Sequence, residues 1–116
     1  MPDRRRIDYG HDGELMARDF LHAQGLDIVA ENVHCGRAGE IDLVARQGPV
    51  LVFVEVRRRS SQTFGGAEVS VHRKKKGSLR RAAEIYLLAH PHEGDCRFDL
   101  VSIEGAKLTW NRDILR

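Results

Sequence analysis

Two short segments, residues 39–44 and 52–57, are rich in Ile, Leu and Val but are interrupted by acidic residues. Aliphatic and β-branched runs of this kind are typical of strands, and the Gly-Pro pair at 48–49 between them indicates a hairpin. If that pair forms a two-residue tip, Asp42 lies directly opposite Glu55 on the neighbouring strand. Carboxylates inside apolar strands are costly unless something binds them. These two segments therefore constrain both fold and function.

The predicted register gives the hairpin one charged face and one apolar face, because side chains alternate along a strand. Two carboxylates placed opposite each other repel, so folding alone does not explain the pair. A hard cation such as Mg²⁺, or Mn²⁺ in its place, takes carboxylate oxygens as ligands and relieves the repulsion. The alternative is an exposed sheet face with ordinary surface charges. The charged face would carry Glu40, Asp42, Glu55 and Arg57, and the apolar face Ile41, Leu43, Val54 and Val56.

Length and composition favour a single domain over residues 1–116, in which residues 1–9 form a flexible N-terminal arm. No apolar stretch follows the N-terminal arginines, and no segment reaches membrane-spanning length, so we expect a cytoplasmic protein with no membrane partner. Cys35 and Cys96 stand alone in the sequence. Their isolation predicts reduced thiols and no zinc site, and leaves a single disulfide open.

The apolar periodicity predicts the order helix, three strands, helix, strand, with a further edge strand. This order indicates a mixed sheet packed by helices, of α/β or α+β class. Glu14 lies at the border of the buried side of the first helix, where the helix dipole is sufficient to explain an acid. The predicted elements are a helix from Asp12 as N-cap to about Gln24, strands at 27–33, 97–103 and 107–110, a helix at 71–89, and a polar exposed loop at 58–66.

Positive charge is concentrated in three runs although the net charge is only +2. Concentrated positive charge predicts a polyanionic partner, most simply nucleic acid. Each run taken alone is better explained as a solvated surface, but three runs in one small domain shift the balance toward such a partner. Lys75 shares the apolar side of the second helix, where its side chain either extends past the edge of the core or points toward the acidic residues. The runs are Arg4–Arg6, Arg57–Arg59, and Arg73–Lys76 with Arg80 and Arg81.

Several of these motifs together resemble the YraN-like family of small bacterial proteins, over about residues 10–103. That family looks like a branch of the PD-(D/E)xK nuclease superfamily and is similar to archaeal Holliday junction resolvases. The resemblance implies a restriction-endonuclease-like core. It rests on Gly13-Glu14, the segments 39–43 and 52–57, Phe64-Gly65, the helix of Lys75 and Arg97-Phe98-Asp99.

Carried across to this chain, the resemblance implies that Asp42 and Glu55 are metal ligands, together with the carbonyl of Val56. Glu14 matches the helical acid that often completes such a site. The superfamily has a lysine two residues after the second acid, where this chain has Arg57. Lysine can lose its proton and help to activate water, whereas arginine stays charged and stabilises phosphate. The implied catalytic set is Glu14, Asp42, Glu55 and Arg57, with Lys75 as a replacement lysine and Mg²⁺ or Mn²⁺ as cofactor.

Three functions remain open from the sequence. The first is a metal-dependent endonuclease that hydrolyses phosphodiester bonds of DNA, including branched DNA, and that acts as a homodimer by resemblance. The second is a nucleic-acid-binding module of the same fold that cleaves little because Arg57 replaces the motif lysine. The third is a scaffold whose acids are structural. In the first two, backbone phosphates would be bound by Arg58, Arg59, Arg73, Lys74 and Lys76.

Overall fold

The computed structural model describes residues 4–59 and 73–115 of the 116-residue chain, with side chains described over 12–58 and 77–115. These residues form helices on both sides of one mixed sheet. In chain order the elements are α1 Arg4–Ala23, β1 Asp27–His34, a 3-10 turn Gly36–Ala38, β2 Glu40–Gln47, β3 Val50–Arg59, α2 Arg73–Ala89, β4 Cys96–Glu104 and β5 Lys107–Asn111.

The sheet has the spatial order β1-β2-β3-β4-β5. β3 and β4 are parallel, and the other neighbouring pairs are antiparallel. Parallel strands need a crossover connection, and α2 lies in the connection between β3 and β4. The predicted class is confirmed: the fold is α+β and is consistent with a restriction-endonuclease-like core.

The helices cover opposite faces of this sheet. Ala17 and Leu21 of α1 share a hydrophobic cluster with Val52 and Val54 of β3. The alternate β3 residues form a second cluster with α2, in which the rings of Phe53 and Tyr86 pack edge to face with centroids 5.7 Å apart. Because both faces are covered, the central strands are apolar on both sides. Within the described residues, neither helix is both long enough and apolar enough to cross a membrane.

The predicted hairpin register is confirmed. β2 and β3 pair from Gln47–Val50 to Leu43–Val54 around the two-residue tip. Gly48 has φ 58°, and the proline ring that follows fixes a negative φ. This combination of signs is that of a type II′ turn, which matches the twist of the flanking strands. Asp42 and Glu55 are thus the next residues beyond the last pair.

The boundaries of β1, β4 and β5 agree with the sequence prediction to within one residue, but the start of α1 does not. α1 begins at Arg4, so Asp12 is inside the helix rather than its N-cap, and the backbone of residues 4–9 is helical. The reason is that Arg is a good helix former, and Gly10, the one glycine between Arg4 and Asp12, costs only about 1 kcal/mol. At the other end Gly25 adopts φ 93° and stops the helix as predicted.

The polar loop predicted at 58–66 begins later than expected, because β3 continues through Arg59. Arg58 therefore belongs to a strand. Residues 60–66, including Phe64 and Gly65, and residues 71–72 of the predicted second helix lie outside the described part of the chain.

A buried carboxylate, Asp99, joins β4 to β5 and to the segment that follows it. Arg97 donates to both Asp99 oxygens, from Nε at 2.9 Å and from Nη2 at 3.1 Å. The indole N–H of Trp110 and the main-chain N–H of Asp113 each donate to Asp99 at 2.9 Å. All of these donors lie within the domain, so the Arg97-Phe98-Asp99 motif has a structural role.

The tip of the hairpin packs against the loop before β4, where Gly94 leaves no room for a side chain. A Cβ on Gly94 would lie 2.5 Å from the carbonyl oxygen of Pro49. The same carbonyl lies 3.0 Å from Nε2 of His92, so it is held on both sides. Gly94→Ala is therefore expected to lower the free energy of unfolding by about 1–3 kcal/mol in urea denaturation, as overpacking does.

Gly77 in α2 provides the matched control, because a Cβ there meets nothing within 4 Å. Gly77→Ala should raise the free energy of unfolding by about 0.5–1 kcal/mol, since alanine is the better helix former. If both variants were equally stable, the close contact between Gly94 and Pro49 would not be present in solution.

Candidate metal centre

At Asp42, the side chains of β2 switch from one face of the sheet to the other. Ile41 is buried in the cluster against α2, whereas Leu43 and Ala45 are buried in the cluster against α1. Regular alternation would place Ile41 and Leu43 on the same face. The prediction that they share an apolar face is therefore wrong. The alternation breaks where the regular pairing of β2 with β3 ends. There the side chain of Asp42 takes the place of a main-chain carbonyl in the ladder of hydrogen bonds.

Asp42 is held at this position by a main-chain group of β3. The N–H of Val56 donates to Oδ2 of Asp42 at 2.8 Å. In a regular ladder this N–H would bind a carbonyl of β2. The carboxylate thus occupies a main-chain position and is fixed between the two strands. Val56 contacts Asp42 through its N–H, and its carbonyl as a metal ligand stays a prediction.

Three acids from two elements converge at this point. One carboxylate oxygen each from Glu14 of α1 and from Glu40 and Asp42 of β2 lie within 4.8 Å of one another. Oxygens on opposite sides of one Mg²⁺ lie about 4.2 Å apart, because each metal–oxygen distance is about 2.1 Å. A small closure would therefore bring all three onto one ion. Glu14 and Asp42 are half-buried, and Glu40 is exposed to solvent.

Two residues of β1 that sequence reasoning missed contact these acids. The side-chain amide of Asn32 satisfies its hydrogen bonds when its nitrogen faces the acids, and in that orientation it donates to Oε1 of Glu14 at 2.8 Å and to Oε1 of Glu40 at 3.2 Å. Nδ1 of His34 lies 3.4 Å from Oε2 of Glu40. The only sequence signal for Asn32 was a polar residue inside a predicted strand, which is too common to single it out.

Glu55 and Arg57 lie together at the same end of β3. Glu55 is 7% exposed, and Nε of Arg57 lies 3.7 Å from its Oε1. Val54 and Val56 pack with α1, so alternation directs Glu55 and Arg57 toward the opposite face of the sheet. The group of three acids does not include Glu55. The role of Glu55 as a metal ligand stays a prediction. Glu40, which was predicted only to lie on the charged face, is a member of the three-acid group.

Of the basic residues predicted to bind phosphate, Arg58 is the one whose side chain the structure describes. The aliphatic part of Arg58 packs against α1, since a Cβ on Gly13 would lie 3.1 Å from Cδ of Arg58. This contact adjoins Glu14 and fixes α1 against β3. The backbones of Arg59, Arg73, Lys74, Lys75 and Lys76 lie in β3 and α2, but their side chains are outside the described residues, so their predicted roles stay predictions.

Both cysteines are free thiols, Cys35 buried and Cys96 exposed, and the disulfide left open by the sequence is not formed. Burial raises the pKa of the Cys35 thiol. Burial, and then the charge of Asp95, raise the pKa of Cys96. A raised pKa lowers the thiolate fraction near neutral pH, which disfavours nucleophilic chemistry by either thiol.

Comparison with known proteins places the chain in a family. A family model described as uncharacterised protein family UPF0102 matches residues 13–103. The chain belongs to the UPF0102 family. A UPF0102 protein of Halorhodospira halophila is 48% identical over 107 residues, covering 92% of this chain and 86% of the relative. The UPF0102 protein YraN of Escherichia coli O139:H28 is 44% identical over 107 residues, covering 90% and 81%.

The UPF0102 match confirms the YraN-like resemblance seen in the motifs. Its range includes all the acids of the candidate centre as well as Glu55 and Arg57. The family description states no activity, so any function must be argued from the site itself.

Proposed function

We propose that this protein is a divalent-metal-dependent nuclease that hydrolyses phosphodiester bonds of DNA. The observation that carries the proposal is the convergence of Glu14, Glu40 and Asp42, with one oxygen of each within 4.8 Å of the others. Carboxylate oxygens suit Mg²⁺ and Mn²⁺. Three like charges brought together from a helix and a strand repel unless a cation lies among them. The fold, consistent with a restriction-endonuclease-like core, supports the same chemistry.

The chain's own residues would position the reacting groups. Glu14, Glu40 and Asp42 would hold the cation, which when bound supplies Lewis-acid stabilisation of charge on the phosphate. The N–H of Val56 keeps the carboxylate of Asp42 in place at 2.8 Å. Glu55, as the second acid of the motif, would complete the ligand set or orient the neighbouring Arg57.

Arg57 is the candidate for stabilising negative charge in the transition state. Its guanidinium remains protonated and presents several donors in one plane, which suits a phosphate group. Because arginine does not readily act as a base, water activation would fall to the carboxylates or to Lys75. Glu55 beside Arg57 restricts its orientation, which favours a fixed contact over a mobile one.

The proposed substrate is DNA, including branched DNA, and the proposed location is the cytoplasm. Arg58, Arg59 and the basic start of α2 would bind backbone phosphates, with an affinity that falls steeply as salt rises. A homodimer would present two such sites to the two strands of a symmetric junction.

A second candidate function is a DNA-binding module of the same fold with little catalysis. The observation that favours it is Arg57 at the position of the motif lysine, with its Nε 3.7 Å from Glu55. In that case the basic residues would bind DNA, but Arg57 would not take a proton from water as the motif lysine can.

The test is incubation of linear, flapped and four-way DNA with Mg²⁺ or Mn²⁺, compared with the same reactions in EDTA. Metal-dependent cleavage by the wild type is expected, and Arg57→Ala should reduce the rate by about 100-fold or more, as removal of one transition-state donor does. Salt-dependent DNA binding without cleavage, combined with cleavage gained by Arg57→Lys, would instead establish the binding module.

Lys75→Ala separates the two sources of water activation. If Lys75 reaches the site as the displaced lysine, Lys75→Ala should lose as much activity as Arg57→Ala. A rate equal to that of the wild type would exclude Lys75 from the reaction and leave water activation to the acids. If the wild type showed no DNA binding and no metal-dependent cleavage, both candidate functions would be refuted.

A further inference from the structure

Asn32 lies within β1, directly beside the candidate metal centre. The strand pairs on either side of it are Glu31 with Leu43 and Val33 with Ile41, which places Asn32 opposite Asp42. Its backbone has φ 50°, in the left-handed region. Asparagine is one of the few residues that tolerates this region, and glycine adopts it without cost. The backbone alone would therefore accept glycine at this position.

The side chain of Asn32 does something that glycine could not do. The hydrogen-bonding groups of this amide are satisfied when its nitrogen faces the acids, and in that orientation the nitrogen lies 2.8 Å from Oε1 and 3.2 Å from Oε2 of Glu14, and 3.2 Å from Oε1 of Glu40. Glu14 comes from α1 and Glu40 from β2, so one neutral donor on a third element links two carboxylates.

We infer that Asn32 is a positioning residue of the centre: it holds the carboxylates of Glu14 and Glu40 at the spacing that a divalent cation requires. The inference rests on the proposed metal-dependent function. Without the amide, the two carboxylates repel and turn away from each other, and binding a cation must first bring them back. Residues that orient metal ligands in this way typically change affinity by about 10–100-fold when they are removed. Asn32 is solvent-exposed, so the lower end of that range is expected.

The experiment is a calorimetric titration with Mn²⁺ of the wild type and of Asn32→Gly. Glycine keeps the left-handed backbone and removes only the amide, so thermal stability should be retained while the Kd for Mn²⁺ rises about tenfold. In Asn32→Ser the hydroxyl remains a donor, but the side chain is too short to reach both acids. The Kd for Mn²⁺ should therefore rise in this variant as well. Asn32→Ser also provides a second folded variant in case the glycine variant does not fold.

The matched control is Asp113→Gly. Among the described residues, Asp113 is the other non-glycine residue with positive φ, at 58°. Its main-chain N–H binds Asp99 and not the three acids. The Kd for Mn²⁺ of this variant should equal that of the wild type, which separates the loss of the amide from the general effect of glycine in a left-handed position.

The outcomes distinguish this inference from the proposed function. Mn²⁺ binding that is equal in wild type and in both Asn32 variants would overturn the role of Asn32 and leave the metal-dependent function standing. Wild-type protein that binds no Mn²⁺ would overturn both. A tenfold rise in Kd in the Asn32 variants alone, with Asp113→Gly unchanged, is the result that supports the inference.

Discussion

Asp42→Asn is expected to reduce metal-dependent DNA cleavage by more than about 100-fold, which exceeds the loss caused by removing a residue that only orients a ligand. Asparagine has the same size as aspartate, and its side-chain oxygen can still accept the Val56 N–H. The substitution therefore removes a negative charge from the three-acid group and leaves the local fold intact. Cleavage rates at saturating and at limiting Mn²⁺ would show whether the loss lies in metal affinity or in the chemical step.

Asp19→Asn is the matched control for this prediction. Asp19 belongs to α1 like Glu14, but its side chain is 74% exposed and contacts only its neighbour Arg18 among the described ion pairs. Cleavage by this variant should equal that of the wild type. If Asp42→Asn cleaved DNA as fast as Asp19→Asn did, the activity would not come from this centre.

Asp99→Asn is expected to lower the free energy of unfolding by about 3–5 kcal/mol, the range seen when one partner of a buried ion pair is removed. The carboxylate of Asp99 is fully buried. Both of its oxygens accept bonds, from Arg97, Trp110 and the main chain of Asp113. An amide keeps one acceptor and replaces the other with a donor, so donors would face donors and the charge of Arg97 would lose its partner.

Urea denaturation of a double-mutant cycle with Arg97→Met measures this effect. The loss caused by Asp99→Asn should be smaller when Arg97 is already methionine, because no buried charge is then left unpaired. Asp99 lies outside the three-acid group, so folded Asp99→Asn should bind Mn²⁺ with wild-type affinity. A loss of metal binding without a loss of stability would mean that Asp99 belongs to the functional site.

The hairpin could be predicted from the sequence because its determinants are local. Gly48 and Pro49 fix the turn, and β-branched residues on both sides fix the strands. The turn then predicted Asp42 opposite Glu55, but the observed ladder ends at the preceding pair, Leu43 with Val54, and Glu55 does not join the three-acid group. The acids of the strands, Glu40, Asp42 and Glu55, were visible for the same reason, since charge inside an apolar strand stands out against its neighbours.

The rest of the centre depends on contacts between distant parts of the chain. The change of face between Ile41 and Leu43 accompanies the bond from Val56 to Asp42, which strict alternation does not anticipate. Glu14 was implied only by family resemblance, because an acid in a helix has an ordinary explanation in the dipole. Asn32 could not be predicted at all, since its role requires a left-handed backbone and two acids from other elements.

The early start of α1 has a similar cause. The sequence offered a good N-cap at Asp12, and local capping rules favoured a helix that began there. The helix instead continues back to Arg4, because arginines with good intrinsic propensity begin it and the one glycine between them and Asp12, Gly10, costs only about 1 kcal/mol. A cap residue marks a preferred start, but it does not prevent a helix from extending through it.

The most direct test of the account is a calorimetric titration of the wild-type protein with Mn²⁺, repeated with Asp42→Asn and Asp19→Asn. We expect saturable binding by the wild type and by Asp19→Asn. The Kd of Asp42→Asn for Mn²⁺ should be raised more than about 100-fold, which exceeds the effect of losing a residue that only orients a ligand. No saturable binding by the wild type, or equal binding by all three proteins, would contradict the claim that these acids form a metal centre.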